Sequence, residues 1–457
     1  MFQTIKNALK VPEIRRKILI TLFLLFVFRI GSWLPIPGVR GSFYAEAFSQ
    51  NDSSLLGLIS AISGGALAVG AFLSLGISPY INSSIIFQLL GVAIPALERM
   101  QKEGGEVGKR KFNQLVRYGT LVLALAQSIG VVINWANSGD LLANLFGVGT
   151  EKLVWLVGMF VVIFLVTGAM FSMWLGEKIT ELGIGNGISL LIFVGIIATA
   201  GQRILLTLMA IFGFGPNAGG SFGDATSIRY ITQIAIFLVL VVLIFALIIF
   251  IDLAERRIPV QYPKQIKGRK QYGGQSTHIP IKVNANGVMP IIFASALTSF
   301  PQVIISLTTK TRETSGFVRV YEDYLSATGS YNYAYFVITA LLIFAFAFFY
   351  SQIQFNPQDV ARNLQQYGGF IPGIRPGRPT ADYLGKINRR LTFFGAFFLA
   401  FIALVPSIIF VQALGTNSYL VNSFSATGLL IVVSIALEFQ KQLEGQLMMK
   451  HYKGFLK

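Results

Sequence analysis

The chain has 457 residues, of which 54% are hydrophobic and only 12% charged, with a formal net charge of +17. Soluble domains carry roughly a quarter charged residues, so this composition excludes a disordered chain, a disulfide scaffold and an ordinary cytosolic enzyme. Without cysteine there is no thiolate chemistry and no Cys-held metal, and two histidines (His278 and His451) leave little for imidazole catalysis, so no cofactor or metal is expected.

Along the chain, apolar runs of about 20 residues mark ten candidate membrane helices: 18–34, 70–95, 115–136, 153–175, 184–206, 231–251, 288–307, 334–353, 391–411 and 425–440. The first is not a cleavable signal peptide: its apolar stretch is too long, no small-residue cleavage site follows, and Pro35-Ile36-Pro37 ends it. Arg29 lies in its outer third, within snorkelling reach of the interface. The last is diluted by Thr427, Gly428, Ser434 and Glu438.

Of the 37 Lys and Arg, 29 fall in the two terminal segments and in loops 2/3, 4/5, 6/7 and 8/9, against seven in the opposite loops. That bias places both termini and the basic loops in the cytoplasm, and a miscounted helix would scramble it. The chain therefore reads as one membrane domain, 1–457. It divides into an N-terminal half (1–210, spans 1–5) and a C-terminal half (211–457, spans 6–10) of opposite orientation, as inverted repeats do. No residue-level repeat joins the halves, so an even ten merely dividing by two is an equal reading. The expected fold is an all-α polytopic membrane protein of ten transmembrane helices in two pseudo-symmetric inverted five-helix halves.

The confident spans hold almost no ionisable residue, Asp252 and Glu438 lying at helix ends. Intramembrane chemistry would need paired Asp, a nucleophile with a base, or a metal set, and none is present at membrane depth. The nearest approach to a phosphate loop, 104–110, lacks the Gly spacing and the Ser/Thr after Lys. A channel is favoured and an enzyme is not; the rival is an ion-coupled small-molecule transporter of the inverted-repeat type.

Segment 55–76 is apolar but interrupted by Gly57, Gly64, Gly65, Gly70 and Gly76, which suggests a short half-helix with a hinge, buried in protein or lining a cavity. A Gly-rich helix packed on a neighbour is an equal reading. In span 2, Ser78, Ile81, Ile85 and Gln88 share one stripe. Isoleucine at its middle and polar groups at its ends suit an hourglass with a dry waist, although Ile at i, i+4 also suits plain packing. Span 5 opens with Gly183-Ile184-Gly185-Asn186-Gly187 ahead of Ile188 and Ile192, and Asn284, Asn286, Pro290 and Pro301 punctuate span 7.

Two cytoplasmic loops, 252–287 and 354–390, carry the remaining signal. The first holds Arg256, Arg257, Lys264, Lys267, Arg269 and Lys270 with Tyr262 and Tyr272 interleaved; the second presents Arg375 and Arg378 in a Pro/Gly-rich tip. Charges beside helix ends serve topology, whereas the mid-loop ones suit docking of a protein partner or of a ribosome's RNA.

At Gly76-Ile77-Ser78-Pro79-Tyr80-Ile81 with Ser84-Ile85-Ile86, at Trp174-Leu175-Gly176-Glu177 through Gly183-Ile184-Gly185-Asn186-Gly187-Ile188-Ser189, at Gln275-Ser276-Thr277-His278-Ile279-Pro280 and at Pro372-Gly373-Ile374-Arg375-Pro376-Gly377, the sequence resembles the SecY family, the central subunit of the bacterial protein-conducting translocon. The resemblance covers essentially the whole chain. It implies a pore ring at Ile81, Ile85, Ile188, Ile192, Ile292 and Ile431, the last two placed by the resemblance alone. It implies a plug near 55–68, including Leu58, Ile59, Ile62, Gly64 and Gly65, and a lateral gate between spans 2/3 and 7/8. Arg375 corresponds to the loop-tip arginine important for the ATPase motor SecA, and loop 6/7 would dock that motor or a ribosome. Further implied partners are SecE-like and SecG-like small membrane subunits, a signal-sequence-bearing polypeptide and membrane lipid. The implied location is the bacterial plasma membrane. The outer loop 308–333 departs from the family and has no assigned role.

Overall fold

The computed structural model describes residues 8–39, 63–102 apart from 68, 105–137, 151–211, 225–307 apart from 263, 268–269 and 274–275, 316–321 with 324, 333–414 and 426–454. A helix occupies each of the ten expected spans. Span 1 is α1, Pro12–Gly31, and span 2 is α2, Ser78–Ala93, each with a proline in its first turn, where the missing N–H costs no hydrogen bond. The short amphipathic α3, Pro95–Lys102, follows. Spans 3 to 6 are α4, Gly105–Asn137, α5, Glu151–Leu182, α6, Gly187–Ile211, and α7, Ala225–Leu253. Then come four strands, β1, Glu255–Gln261, β2, Lys264–Lys267, β3, Lys270–Gly273, and β4, Ser276–Lys282. Span 7 is α8, Met289–Leu307, followed by the one-turn α9, Gly316–Val320. Span 8 is α10, Tyr333–Gln354; α11, Pro357–Gln366, leads to span 9, α12, Arg378–Leu414, and span 10 is α13, Ala426–Gly454. By length and composition alone, five helices among the described residues are long and apolar enough to cross a membrane.

Large apolar side chains such as Phe23, Trp155, Val239, Phe250 and Phe394 stay exposed. Water would penalise such a surface and lipid does not. Inside, three clusters hold the bundle. One joins Ile36 and Leu67 to Trp135, Val157 and Leu165; a second joins Phe237, Phe293, Ile343, Leu399 and Leu429. The third links Phe28, Leu73 and Leu191 to Ile431 and Ile435 at the other end of the sequence. Between membrane helices close packing replaces the hydrophobic effect as the cohesive force. The approach of Gly187 to Gly176 is an instance, since a Cβ there would run into the Gly176 carbonyl.

Three features depart from the sequence reading. Span 2 begins at Ser78, not at residue 70, because residues 69–77 form buried turns. The described part of the expected half-helix, 63–67 and 69–76, is likewise a run of turns; its glycines Gly64 and Gly76 take φ of +74° and +52°, which a helix cannot use. Leu58, Ile59 and Ile62 lie outside the described residues. Finally, loop 6/7 is not irregular: β1 pairs antiparallel with β4, and β2 with β3, forming a two-tier ribbon in an otherwise helical chain. The ribbon is dictated by alternation, Ile258 and Val260 facing in and Arg257 and Pro259 facing out.

Candidate functional site

The turn between α5 and α6 sets the direction of span 5. Asn186 caps α6, its Oδ1 accepting the Ile188 N–H at 3.1 Å and the Ser189 N–H at 3.5 Å. The Ile184 N–H donates to Thr21 Oγ1 of α1 at 3.1 Å, and the Gly187 N–H donates to Thr180 Oγ1 at 2.8 Å. So anchored, α6 directs Ile188 and Ile192, one turn apart, into the bundle. On α2, Ser83 Oγ donates to the Val116 carbonyl of α4 at 2.7 Å, which fixes the rotation of that helix and turns Ile81 and Ile85 inward.

All six candidate ring isoleucines meet in two adjoining clusters. Ile192 and Ile431 are buried in the third cluster, with Ile81, Ile188 and Ile292 packed against it. Ile85 is buried in the second, against which Ile81 and Ile292 also pack. Residues from spans 2, 5, 7 and 10 are thus brought together as an aliphatic group, the candidate collar. It offers no hydrogen bond and no charge, so it disfavours water and ions wherever it closes. At the polar ends of the α2 stripe, Ser78 is buried and Gln88 Nε2 donates to Ser84 Oγ at 3.0 Å.

Against the collar's helices lies the 63–77 turn run. Arg29 does not turn to the interface as its position suggested; its Nη1 donates to the Gly64 carbonyl at 2.8 Å, and its guanidinium lies 5.2 Å from the Trp33 ring centroid. A Cβ at Gly64 would lie 2.6 Å from Arg29 Nη1, and one at Gly65 would lie 3.1 Å from Gln202 Oε1. Ser74 Oγ donates to the Ala66 carbonyl at 3.1 Å, and the Phe72 N–H to the Leu34 carbonyl at 2.7 Å. These bonds tie the run to span 1, and Gly65 lies close against Gln202 of span 5.

The two basic loops prove to be one body. The β1–β4 ribbon and the 367–377 turn share a core of Ile258, Val260, Ile281, Leu364, Ile371 and Leu384. Asn356 caps α11 by accepting the Gln358 N–H at 3.1 Å, and Thr380 Oγ1 donates to the Arg375 carbonyl at 2.8 Å, fixing the tip. The side chains of Arg256, Arg257, Arg375 and Arg378 are exposed on this platform. Arg257 is engaged with Glu255 at 2.7 Å. Arg378 stands in the first turn of α12, which has no acidic residue there, so it opposes the helix dipole at a cost of about 0.3–1 kcal/mol. Lys264 and Lys267 lie on β2 and Lys270 on β3, their side chains outside the described residues, as is the whole of Arg269.

A buried polar seam joins spans 6 to 9; the sequence singles out Asn284, Asn286 and Asp252 of it, but not Asn388 or Ser351. Asn284 Nδ2 donates to Asp252 Oδ1 at 3.1 Å, Asn286 Nδ2 to the Ala347 carbonyl at 2.7 Å, and Asn388 Nδ2 to Ser351 Oγ at 2.9 Å. Among the described residues no group of three or more His, Cys, Asp and Glu could hold a metal.

With this geometry in view, comparison with known proteins is specific. A sequence profile of the SecY family matches residues 71–440. Protein translocase subunit SecY of Streptomyces griseus is 43% identical and that of Halalkalibacterium halodurans 40%, each covering 100% of both chains. A solved protein-conducting channel superposes with a TM-score of 0.60 at 18% identity, covering 94% of this chain and 91% of its own. The Sec61 of a canine ribosome-channel complex gives a TM-score of 0.58 at 17% identity, with the same coverage.

Proposed function

We propose, from the premise that this chain belongs to the SecY family of protein translocase subunits, that its six clustered isoleucines form the seal of the channel. The chain is a multi-pass membrane protein and a protein-conducting channel, not an enzyme, and the small-molecule transporter reading falls with the full-length relatives. The observation that carries the proposal is the convergence of Ile81, Ile85, Ile188, Ile192, Ile292 and Ile431 from four helices.

An aliphatic collar adapts to varied side chains of a passing polypeptide and gives it no hydrogen bond to be trapped by. Around it, the segment near 55–68 serves as the plug at rest, its far flank held by Arg29 on the Gly64 carbonyl. Parting of spans 2/3 from 7/8 lets a hydrophobic signal sequence or membrane segment partition sideways into lipid. The two halves, 1–210 and 211–457, move as the jaws of this gate, clamped by a SecE-like subunit and accompanied by a SecG-like one. Both termini and the basic platform face the cytoplasm of a bacterial plasma membrane. There Arg375, Arg378, Arg256, Arg257 and the ribbon lysines receive the SecA motor or a ribosome, which supplies the energy the chain itself lacks.

The test is replacement of Ile81, Ile85, Ile188 and Ile292 together by Asn in reconstituted vesicles. The variant is expected to leak ions and to export precursors with weak signal sequences; unchanged leak and unchanged signal stringency would contradict the seal.

A further inference from the structure

Span 4 marks the thickness of the bilayer on its own surface. Trp155 and Trp174 are exposed at the two ends of its apolar part, 19 residues apart on α5, about 28 Å at 1.5 Å per residue and close to a hydrocarbon core. Interfacial tryptophans sit at headgroup level. Between them Leu156, Met159 and Ile163 are exposed at helical spacing, an apolar face directed away from the bundle. The same stripe runs on past Trp174 to Glu177 and Glu181, three and seven residues further, so the outward face turns ionic at the headgroup level of the basic end.

At that level an open cleft of about 570 Å³ lies between α5, α4 and α2. Its charges come in two pairs. Arg117 of α4 forks onto Glu177, Nε to Oε1 and Nη2 to Oε2, both 2.9 Å. Lys178 Nζ meets Glu181 Oε2 at 2.6 Å. Tyr80 and Asn113 add neutral polar groups to the lining. Neither pair belongs to the collar, the pinned turn or the platform.

We propose that this cleft seats the headgroup of a zwitterionic membrane phospholipid bearing a primary ammonium, phosphoethanolamine, with its acyl chains along the Leu156–Met159–Ile163 stripe. The phosphate takes the N–H groups of Arg117 that the fork leaves unused, together with Lys178. The ammonium has three donors and bridges Glu177 and Glu181, one helical turn apart. A quaternary choline has no N–H to give the carboxylates, and a purely anionic headgroup leaves both carboxylates without a cation of its own. Tyr80 directly precedes Ile81 on α2, so occupancy of the cleft bears on a collar helix; that consequence rests on the collar reading.

The full chain is equilibrated in vesicles of phosphatidylethanolamine with phosphatidylglycerol, or of phosphatidylcholine with phosphatidylglycerol, then extracted, and retained lipid is counted by native mass spectrometry. Wild type is expected to retain phosphatidylethanolamine with about tenfold preference over phosphatidylcholine, or about 1.4 kcal/mol. A Lys178→Gln, Glu181→Gln variant, which keeps the Arg117–Glu177 fork, loses that preference. Equal retention of the two lipids by wild type, or a preference unchanged in the variant, would overturn the proposal. Free phosphoethanolamine is expected not to displace the bound lipid, and displacement by it would reassign the cleft to the free headgroup. Ion leak is recorded in parallel, so a leaky collar with normal lipid retention counts against the collar alone.

Discussion

Gln261 and Phe370, more than a hundred residues apart, exchange two backbone hydrogen bonds: the Gln261 N–H reaches the Phe370 carbonyl at 2.9 Å, and the Phe370 N–H returns to the Gln261 carbonyl at 3.0 Å. That bridge continues the β1–β4 ribbon into the loop before α12, so the arginines of loop 6/7 and those of loop 8/9 are carried on one surface. On the docking proposed above, a motor that pushes a polypeptide needs a base that does not yield, and two loops sharing a core would supply it.

Arg375→Glu is expected to stop motor-driven export without unfolding the complex. The side chain is exposed, and among the described residues only its backbone carbonyl is hydrogen-bonded, by Thr380. A surface change of this kind moves stability by less than about 0.5 kcal/mol. ATP-driven translocation into vesicles reads the effect, and normal SecA-dependent transport would remove the docking assignment.

Ile258→Ala attacks the same platform from inside. Ile258 is buried in the core that joins ribbon and loop, and truncating a buried Ile costs about 2–5 kcal/mol. The expected readout is faster hydrogen exchange confined to 255–282 and 367–377, with the membrane helices unaffected. Exchange unchanged in both loops would mean that they do not share a core.

Gly64→Ala tests the pinned turn. At φ +74° an alanine costs about 1–2 kcal/mol, and its Cβ would press on Arg29 Nη1. Arg29→Gln removes the charge-assisted bond to the Gly64 carbonyl, worth about 1.5–3 kcal/mol. Both variants are expected to raise resting ion leak and to speed amide exchange at 63–77. A tight, fully protected turn in Arg29→Gln would show that the arginine holds nothing.

Within the collar, Ile188→Leu keeps volume and apolarity and is expected to cost less than about 1.5 kcal/mol, with no leak. Ile188→Asn puts an amide into an aliphatic cluster and is expected to admit ions and weak signal sequences. Equal leak from the two variants would show that packing, and not dryness, governs the seal.

Much of this architecture is visible in the residues because it depends on local rules. Twenty-residue apolar runs and the bias of Lys and Arg between loops locate the ten spans, and periodicity on α2 and α6 finds Ile81, Ile85, Ile188 and Ile192. Ile292 and Ile431 have no local signature; what makes them neighbours is packing of spans 7 and 10, which only the resemblance or the structure supplies. Composition alone does not decide the described part of the Gly-broken segment, since the same apolar, Gly-interrupted run serves a half-helix or a chain of turns; over 63–77 the choice is made by Arg29 and Leu34 from outside the run and by Ser74 within it. The ribbon in loop 6/7 was legible in principle, through the alternation of Ile258 and Val260 and of Ile279 and Ile281, but basic charge obscured it. The seam of Asp252 with Asn284 joins residues separated by the whole ribbon, beyond the reach of any local pattern.

The most direct test of a sealed protein-conducting channel is planar-bilayer conductance of the purified chain with its small partner subunit, wild type beside a deletion of residues 57–66, which removes the Gly64 carbonyl from Arg29. The account predicts silence from wild type and large, poorly selective openings from the deletion. Silence from both, with the deleted chain folded, would contradict it.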